Sequence, residues 1–269
     1  MKLGAMNNPA RDLEAEIHWI GQNRFDFIDL TLEAPKALPQ NADVGLISDL
    51  CGRYGLDVVG HTSPFMPVGS PSQDVREACL REHLRCLDVF ARLGARKVTL
   101  HVSQYRGAEP VEENIRNNIW SFQRFAEAAQ ERGMTPMLEH FGEAYNKVET
   151  LARFFDAVPG LLFHLDVGHA NLWGARNCTE DLLKAFGDRL GHVHVSDNVG
   201  GKEDLHLPLG AGNIKWRKVT DLLKQHGYDG TITVEVFSGD RAYLLYSRAR
   251  LRALWEGIDT ATAPPEDEL

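Results

Sequence analysis

The sequence predicts an α/β protein built as a single closed (β/α)8 barrel, and three observations carry that prediction. Short apolar runs alternate with longer amphipathic ones about eight times along the chain, the number a closed parallel barrel needs. No run of hairpin turns breaks this rhythm, which argues for parallel strands, because these need helical crossovers. Neither G-x-G-x-x-G nor a Walker A sequence appears, so the phosphate loop of an open doubly wound sheet is missing. At 269 residues, one barrel accounts for the chain.

In chain order the strand candidates are KLGAM, FDFIDLTLE, LDVVGHTS, KVTLHVS, TPMLEHF, LLFHLDVGH, LGHVHVSDN and TITVEVF. The clearest helix between them is SQDVREACLREHLRCLDVFARLG. There Val75, Cys79, Leu80, Leu84, Leu87 and Leu93 fall near helical spacing, Ser72 stands as the N-cap and Gly94 ends the run. VEENIRNNIWSFQRFAEAAQERG repeats the pattern with Ile115, Ile119, Phe122, Phe125 and Ala129 on one side and Gly133 as the stop. The barrel is expected to span residues 1–258. Residues 259–269, Pro- and acid-rich, are expected to form a flexible tail.

A net charge of −9 gives no basic footprint for nucleic acid. No apolar run reaches signal-peptide or membrane-spanning length, so a membrane is not an expected partner and the cytoplasm is the expected location. Among Cys51, Cys79, Cys86 and Cys178 there is no C-x-x-C pair, which removes the zinc-ribbon and thioredoxin-like readings. Cys79 and Cys86 read as buried core thiols.

The informative feature is where ionisable residues interrupt apolar strands. His61, His101, Glu139, Asp166, His194, Asp197 and Glu235 each stand at or near a strand's C-terminal end. In a barrel those ends share one face and aim at one centre. A buried carboxylate is costly unless paired, hydrogen-bonded or bound to a cation. Glu139, Asp166, His194 and Glu235 come from four strands and have little else to neutralise them, so a divalent cation is the economical solution. The O/N donor set fits manganese, magnesium, zinc or cobalt, and the imidazole tilts it away from magnesium.

Two local patterns sharpen this reading. Asp166 and His169 lie three apart just past a strand, and Asp204 and His206 lie two apart in a glycine-flanked loop. Glu33, late in the second strand, is a pocket candidate, while Trp173 and Phe65 occupy rim loops. His164 and His192, two residues deeper than Asp166 and His194, read as satisfied core side chains. His18, His83 and His226 read as helix-surface or interhelical residues, and His140 as pointing away from the barrel axis, because strand side chains alternate.

Taken together, Glu139, LDVGH, HVHVSDN, DLHLPLGAGNI and TVEVF resemble the xylose isomerase-like TIM barrel superfamily. The resemblance runs from the first strand to Glu235, with Asp166 to Ile214 its most specific stretch. That group contains sugar isomerases and epimerases, inosose dehydratases and the endonuclease IV family. In its epimerases one cation, often manganese, is held at positions matching Glu139, Asp166, His194 and Glu235. The two glutamates form the catalytic pair that moves a proton off one face of the substrate and onto the other. The resemblance thus implies a divalent-metal-dependent isomerase or epimerase acting on a sugar or sugar-derived polyhydroxy carbonyl compound. His61, His101, His169, His206, Glu33, Trp173 and Lys202 would line the pocket or, for the histidines, complete further metal sites.

The alternative it implies is an endonuclease IV-like phosphodiesterase acting on abasic DNA with three zinc ions. One ion would sit on His61, His101 and Glu139, a second on Glu139, Asp166, His194 and Glu235, and a third on His169, Asp204 and His206. One to three ions of manganese or zinc are therefore expected. Against the nuclease, Asn198-Val199-Gly200-Gly201 replaces the Ser-Lys and Gly-Ser of that signature, and Ala211 stands where Glu is usual. No early loop is rich in Arg and aromatics to enter a minor groove. The epimerases often place an Arg shortly after the His matching His194, and here that stretch offers only Lys202. A barrel that keeps the cage for binding or for peptide modification is a third reading. The expected partner is a small sugar-like molecule rather than nucleic acid, and since such barrels often pair, a homo-oligomer stays open.

Overall fold

The structure, a computed structural model, describes residues 1–104 and 110–258, so the tail expected at 259–269 lies outside the described residues. Eight strands close into a barrel in sequence order: β1 (Lys2–Met6), β2 (Phe27–Leu32), β3 (Asp57–Thr62), β4 (Lys97–His101), β5 (Thr135–Glu139), β6 (Leu162–Asp166), β7 (Leu190–Val195) and β8 (Thr231–Val234). All eight pairings are parallel, and β1 meets β8 with Ala5 beside Val234 to complete the circle. The crossovers carry α1 (Leu13–Gln22), α2 (Val44–Tyr54), α3 (Gln73–Arg92), α4 (Val111–Glu131), α5 (Val148–Ala157), α6 (Thr179–Phe186) and α7 (Trp216–Gln225), and α8 (Ala242–Trp255) follows the last strand. This is the predicted (β/α)8 barrel. No helix among the described residues is long and apolar enough to cross a membrane.

The helices begin and end where local chemistry requires. Asp12 and Asp43 cap α1 and α2, their carboxylates accepting from Ala15 and Leu46 N–H groups. Gly94 (φ 74°) and Gly133 (φ 73°) take the left-handed conformation just past α3 and α4, as the sequence predicts. Two details of α3 differ from expectation. Ser72 occupies the N-cap but its hydroxyl makes no cap bond; instead, Arg76 reaches back to the Ser70 and Pro71 carbonyls. The buried stripe runs through Cys79, His83, Cys86, Leu87 and Phe90, which leaves Val75 exposed. Cys79 and Cys86 are buried free thiols as expected.

His83 belongs to that stripe, packing edge-on against Phe125 of α4 with its Nε2 buried and unpaired. Burial, helped by repulsion from His101, pulls its pKa down to about 3. The folded state therefore keeps His83 neutral, whereas the unfolded chain protonates it below about pH 6.5. Stability is unaffected above that pH and falls as pH drops towards 3, by about 2 kcal/mol at pH 5. His83→Leu should flatten the difference in unfolding free energy between pH 7 and pH 5 by this amount; identical urea-denaturation differences in the two proteins would refute it.

Inside the barrel, side chains stack in layers set by the two-residue alternation of each strand. Phe27, Val59 and Met137, with Leu162 beside them, plug the N-terminal end. The Phe27 ring fills the space a Gly4 side chain would need, 2.3 Å from its hypothetical Cβ. Above this plug the interior turns polar. Asp29, Thr99, His164, His192 and Thr233 form one level, and His61, His101, Glu139, Asp166, His194 and Glu235 stand over them; all eleven are buried.

Candidate active site

The upper level is assembled one residue per strand. Register places His101 beside Glu139, and Asp166 beside His194, while Glu235 follows directly on β8. Glu139, Asp166, His194 and Glu235 each present a ligand atom, and the four atoms lie within 4.8 Å of one another. His194 Nδ1 is the hub: it sits 3.0 Å from Glu235 Oε2, 3.6 Å from Glu139 Oε1 and 3.9 Å from Asp166 Oδ2. Glu139 Oε2 and Asp166 Oδ2 are buried and find no hydrogen-bond partner. Orphaned carboxylate oxygens cost several kcal/mol unless a cation or donor meets them. The four residues thus fit a divalent cation in both donor type and geometry.

A second cluster adjoins the first through Glu139. His61 and His101 stack with their Nε2 atoms 2.6 Å apart, and these lie 3.4 and 3.1 Å from Glu139 Oε2. On the other side Asp204 Oδ2 bridges the Nε2 atoms of His169 and His206 at 3.0 Å each. His206 adopts φ 45°, uncommon for a side chain with a Cβ, and its Nδ1 bonds the Glu235 carbonyl. The loop bearing Asp204 and His206 is pinned by Asp197. Its carboxylate accepts from the Gly210 and Ile214 N–H groups and the Trp216 indole. Asp197 is therefore a loop anchor and not a member of the charged cluster.

The electrostatics reflect crowding of anions. Burial raises the Asp166 pKa to about 7 against the pull of His169, with repulsion from Glu235, Glu139 and Asp204 adding to the rise. Burial also raises Glu139, but His101, His164 and His194 hold it well below the usual range. Burial lowers His169 and His206, yet neighbouring carboxylates lift them to about 10 and about 9. With protein charges alone, the site compensates its carboxylates by charging its histidines, and a divalent ion would do the same with fewer protons.

The sequence-predicted candidates mostly converge. Glu139, Asp166, His194, Glu235, His61, His101, His169, Asp204 and His206 all meet within this one network. Glu33 is half-buried beside Ser63 and close enough to feel the His61 charge, while burial raises its pKa. Trp173 packs edge-on against Phe141, which in turn packs against His169. Phe65 and Lys202 are exposed. His140 points outward as expected, packing on Phe163 and holding Asn146 Oδ1.

One residue exceeds its expected role and another was not among the candidates. His164 lies 3.2 Å from Glu139 Oε2 with its ring 4.1 Å from that of His194. Asp29, fully buried on β2, bonds the same His194 from below. Its signal in the sequence was the one that exposed the others: a carboxylate interrupting the apolar run FIDLTL. Next to Glu235 a cavity of about 390 Å³ opens between the β1 and β8 loops, lined by Asn8, Arg11, Trp19, Phe237 and Arg241. Phe237 lies 4.4 Å from the His206 ring, and Arg241 lies over Trp19 while ion-paired to Glu16.

Residues 18–256 match the family model described as the xylose isomerase-like TIM barrel. The chain belongs to that family. L-ribulose 3-epimerase of Methylomonas sp. (strain DH-1) is 29% identical over 229 residues, covering 80% of this chain and 75% of the relative. Among solved structures, a D-tagatose 3-epimerase-like protein superposes with a TM-score of 0.84 at 26% identity, over 96% of this chain and 98% of the other. A Methylomonas sp. D-allulose 3-epimerase, solved in complex with D-allulose, gives 0.74 at 25% identity, covering 89% and 85%. The kinship of this xylose isomerase-like barrel is thus with enzymes of the isomerase and epimerase kind.

Proposed function

We propose that the protein is a divalent-metal-dependent epimerase of a small ketose or similar polyhydroxy carbonyl compound. The carrying observation is the meeting of four ligand atoms from four strands within 4.8 Å, two of the carboxylates keeping an oxygen unpartnered. Glu139, Asp166, His194 and Glu235 would hold the ion, manganese or zinc by donor type. A cation bound there would polarise a substrate carbonyl and so acidify the neighbouring C–H.

The protein's own groups then supply the proton chemistry. Glu139 is bordered by His61, His101 and His164, and Glu235 by His206, so the two carboxylates approach the centre from different sides. One takes the proton from its face of the substrate carbon and the other returns a proton to the opposite face, inverting the centre. His61, His101, His169, His206 and Glu33 offer donors and acceptors to the hydroxyls. The cavity beside Glu235 is of a size that suits a monosaccharide.

L-ribulose and D-allulose, named for relatives of the chain, are the first compounds to assay. In D2O with Mn2+, epimerisation should carry solvent deuterium into the carbon beside the carbonyl. If no ketose of such a panel either epimerises or exchanges, the reading fails. The His61–His101–Glu139 cluster favours one second reading, a phosphodiesterase with several ions. Incision of an abasic-site duplex by the metal-loaded protein would reverse the order of the two.

A further inference from the structure

Asp29 has no place in the proton chemistry above, yet it is the most heavily engaged carboxylate below it. It is fully buried on β2, and its Oδ2 accepts from His194 Nε2 at 2.7 Å, from the Thr233 hydroxyl at 2.8 Å and from His192 Nε2 at 3.1 Å. Its Oδ1 has no hydrogen-bond partner and faces His61 Nδ1, equally unpartnered, at 3.5 Å. Each of the two oxygens thus addresses a different histidine of the upper level. In both rings it addresses the nitrogen remote from Glu139.

The consequence is tautomeric. A neutral imidazole, the form a bound cation requires, that gives its Nε2–H to a carboxylate carries a lone pair on Nδ1, and the reverse holds for a ring that gives Nδ1–H. His194 Nδ1 is the atom among Glu139, Asp166 and Glu235. His61 Nε2 is the atom beside His101 Nε2 and Glu139 Oε2. We propose that Asp29 is the positioning residue of the centre: with a cation bound, its hydrogen bond fixes His194 in one tautomer and its second oxygen, at ion-pair distance, draws the His61 proton to Nδ1, so that each ring turns its lone pair towards Glu139. Thr233, opposite His194 in the β7–β8 register, holds Asp29 in place by its own hydroxyl.

The proposal rests on the reading of this site as a cation centre, and the test separates the two. Mn2+ affinity is measured by calorimetry for the wild type and for Asp29→Asn, whose amide can accept from only one histidine and presents N–H to the other. Loss of an outer hydrogen-bond partner of a ligating histidine typically weakens metal binding about 10–100-fold, and that loss is expected here. In parallel, imidazole 15N spectra of the Zn2+-loaded wild type, assigned through His194→Gln and His61→Gln, should show His194 protonated at Nε2 and His61 at Nδ1. This second readout decides the matter even if Asp29→Asn does not fold. Wild type that binds neither ion would sink the centre itself and, with it, the role of Asp29. Wild type that binds, with Asp29→Asn equally tight or with the opposite tautomers, would overturn the role of Asp29 alone.

Discussion

Glu139→Gln and Glu235→Gln are each expected to lower kcat by about 10³-fold at saturating Mn2+, since general acid–base groups contribute roughly 10²–10⁴. Glutamine keeps the shape and one carbonyl oxygen but has no basic oxygen, so the change removes proton transfer while leaving the barrel intact. Circular dichroism should confirm the fold, and metal content should be measured, because both residues are also ligand candidates. The pairing predicts more than a loss of rate. If the two carboxylates serve opposite faces, each variant retains one working base and can still exchange the C–H of one epimer with solvent. Glu139→Gln should wash deuterium into one epimer and Glu235→Gln into the other, far faster than either variant interconverts the two. Wild-type turnover in both variants, or exchange lost for both epimers in both, would contradict the two-base assignment.

Most of this network is readable in the sequence because strand alternation is a strong constraint. An acid or imidazole at the end of an apolar run must either face the barrel centre or break the packing outside. That logic finds Glu139, Asp166, His194 and Glu235 without structural help, although their roles as proton carriers come from the family resemblance. It fails where height in the barrel is not depth in the strand. Strands in a closed barrel are tilted and staggered, so His164, two residues before Asp166, pairs in register with Glu139 and touches its carboxylate. Asp29 escapes for a related reason. Its hydrogen-bond partners lie on β7 and β8, more than 160 positions away, and come within reach only when β8 closes onto β1. The misplaced face of α3 has a different origin: His83 sits on the buried stripe, and a hydrophobic count passes over an imidazole that stays neutral in the core.

Removal of the cation should have the other large effect. Dialysis against a chelator is expected to reduce epimerase activity to background, and Mn2+ should restore it. The same experiment has a thermodynamic arm, which does not depend on finding the substrate. Ligand that binds only the folded state adds about 2.7 kcal/mol at a hundredfold excess over Kd. For a chain of this size that corresponds to a rise of about 5–10 °C in melting temperature. The ion's effect should shrink sharply in Asp166→Asn, which discards one of four donors and the carboxylate whose pKa is pushed up to about 7 chiefly by burial, with its anionic neighbours adding to the rise. The metal-free variant should melt no lower than the metal-free wild type, because it has lost a costly buried charge along with a ligand. This opposite behaviour distinguishes a cation site from a buried polar network held together by hydrogen bonds alone, where Asp166→Asn would destabilise the protein whether or not Mn2+ was present. A chelated wild type with full activity and an unchanged melting temperature would leave the buried carboxylates to the histidines and remove the case for metal-assisted chemistry.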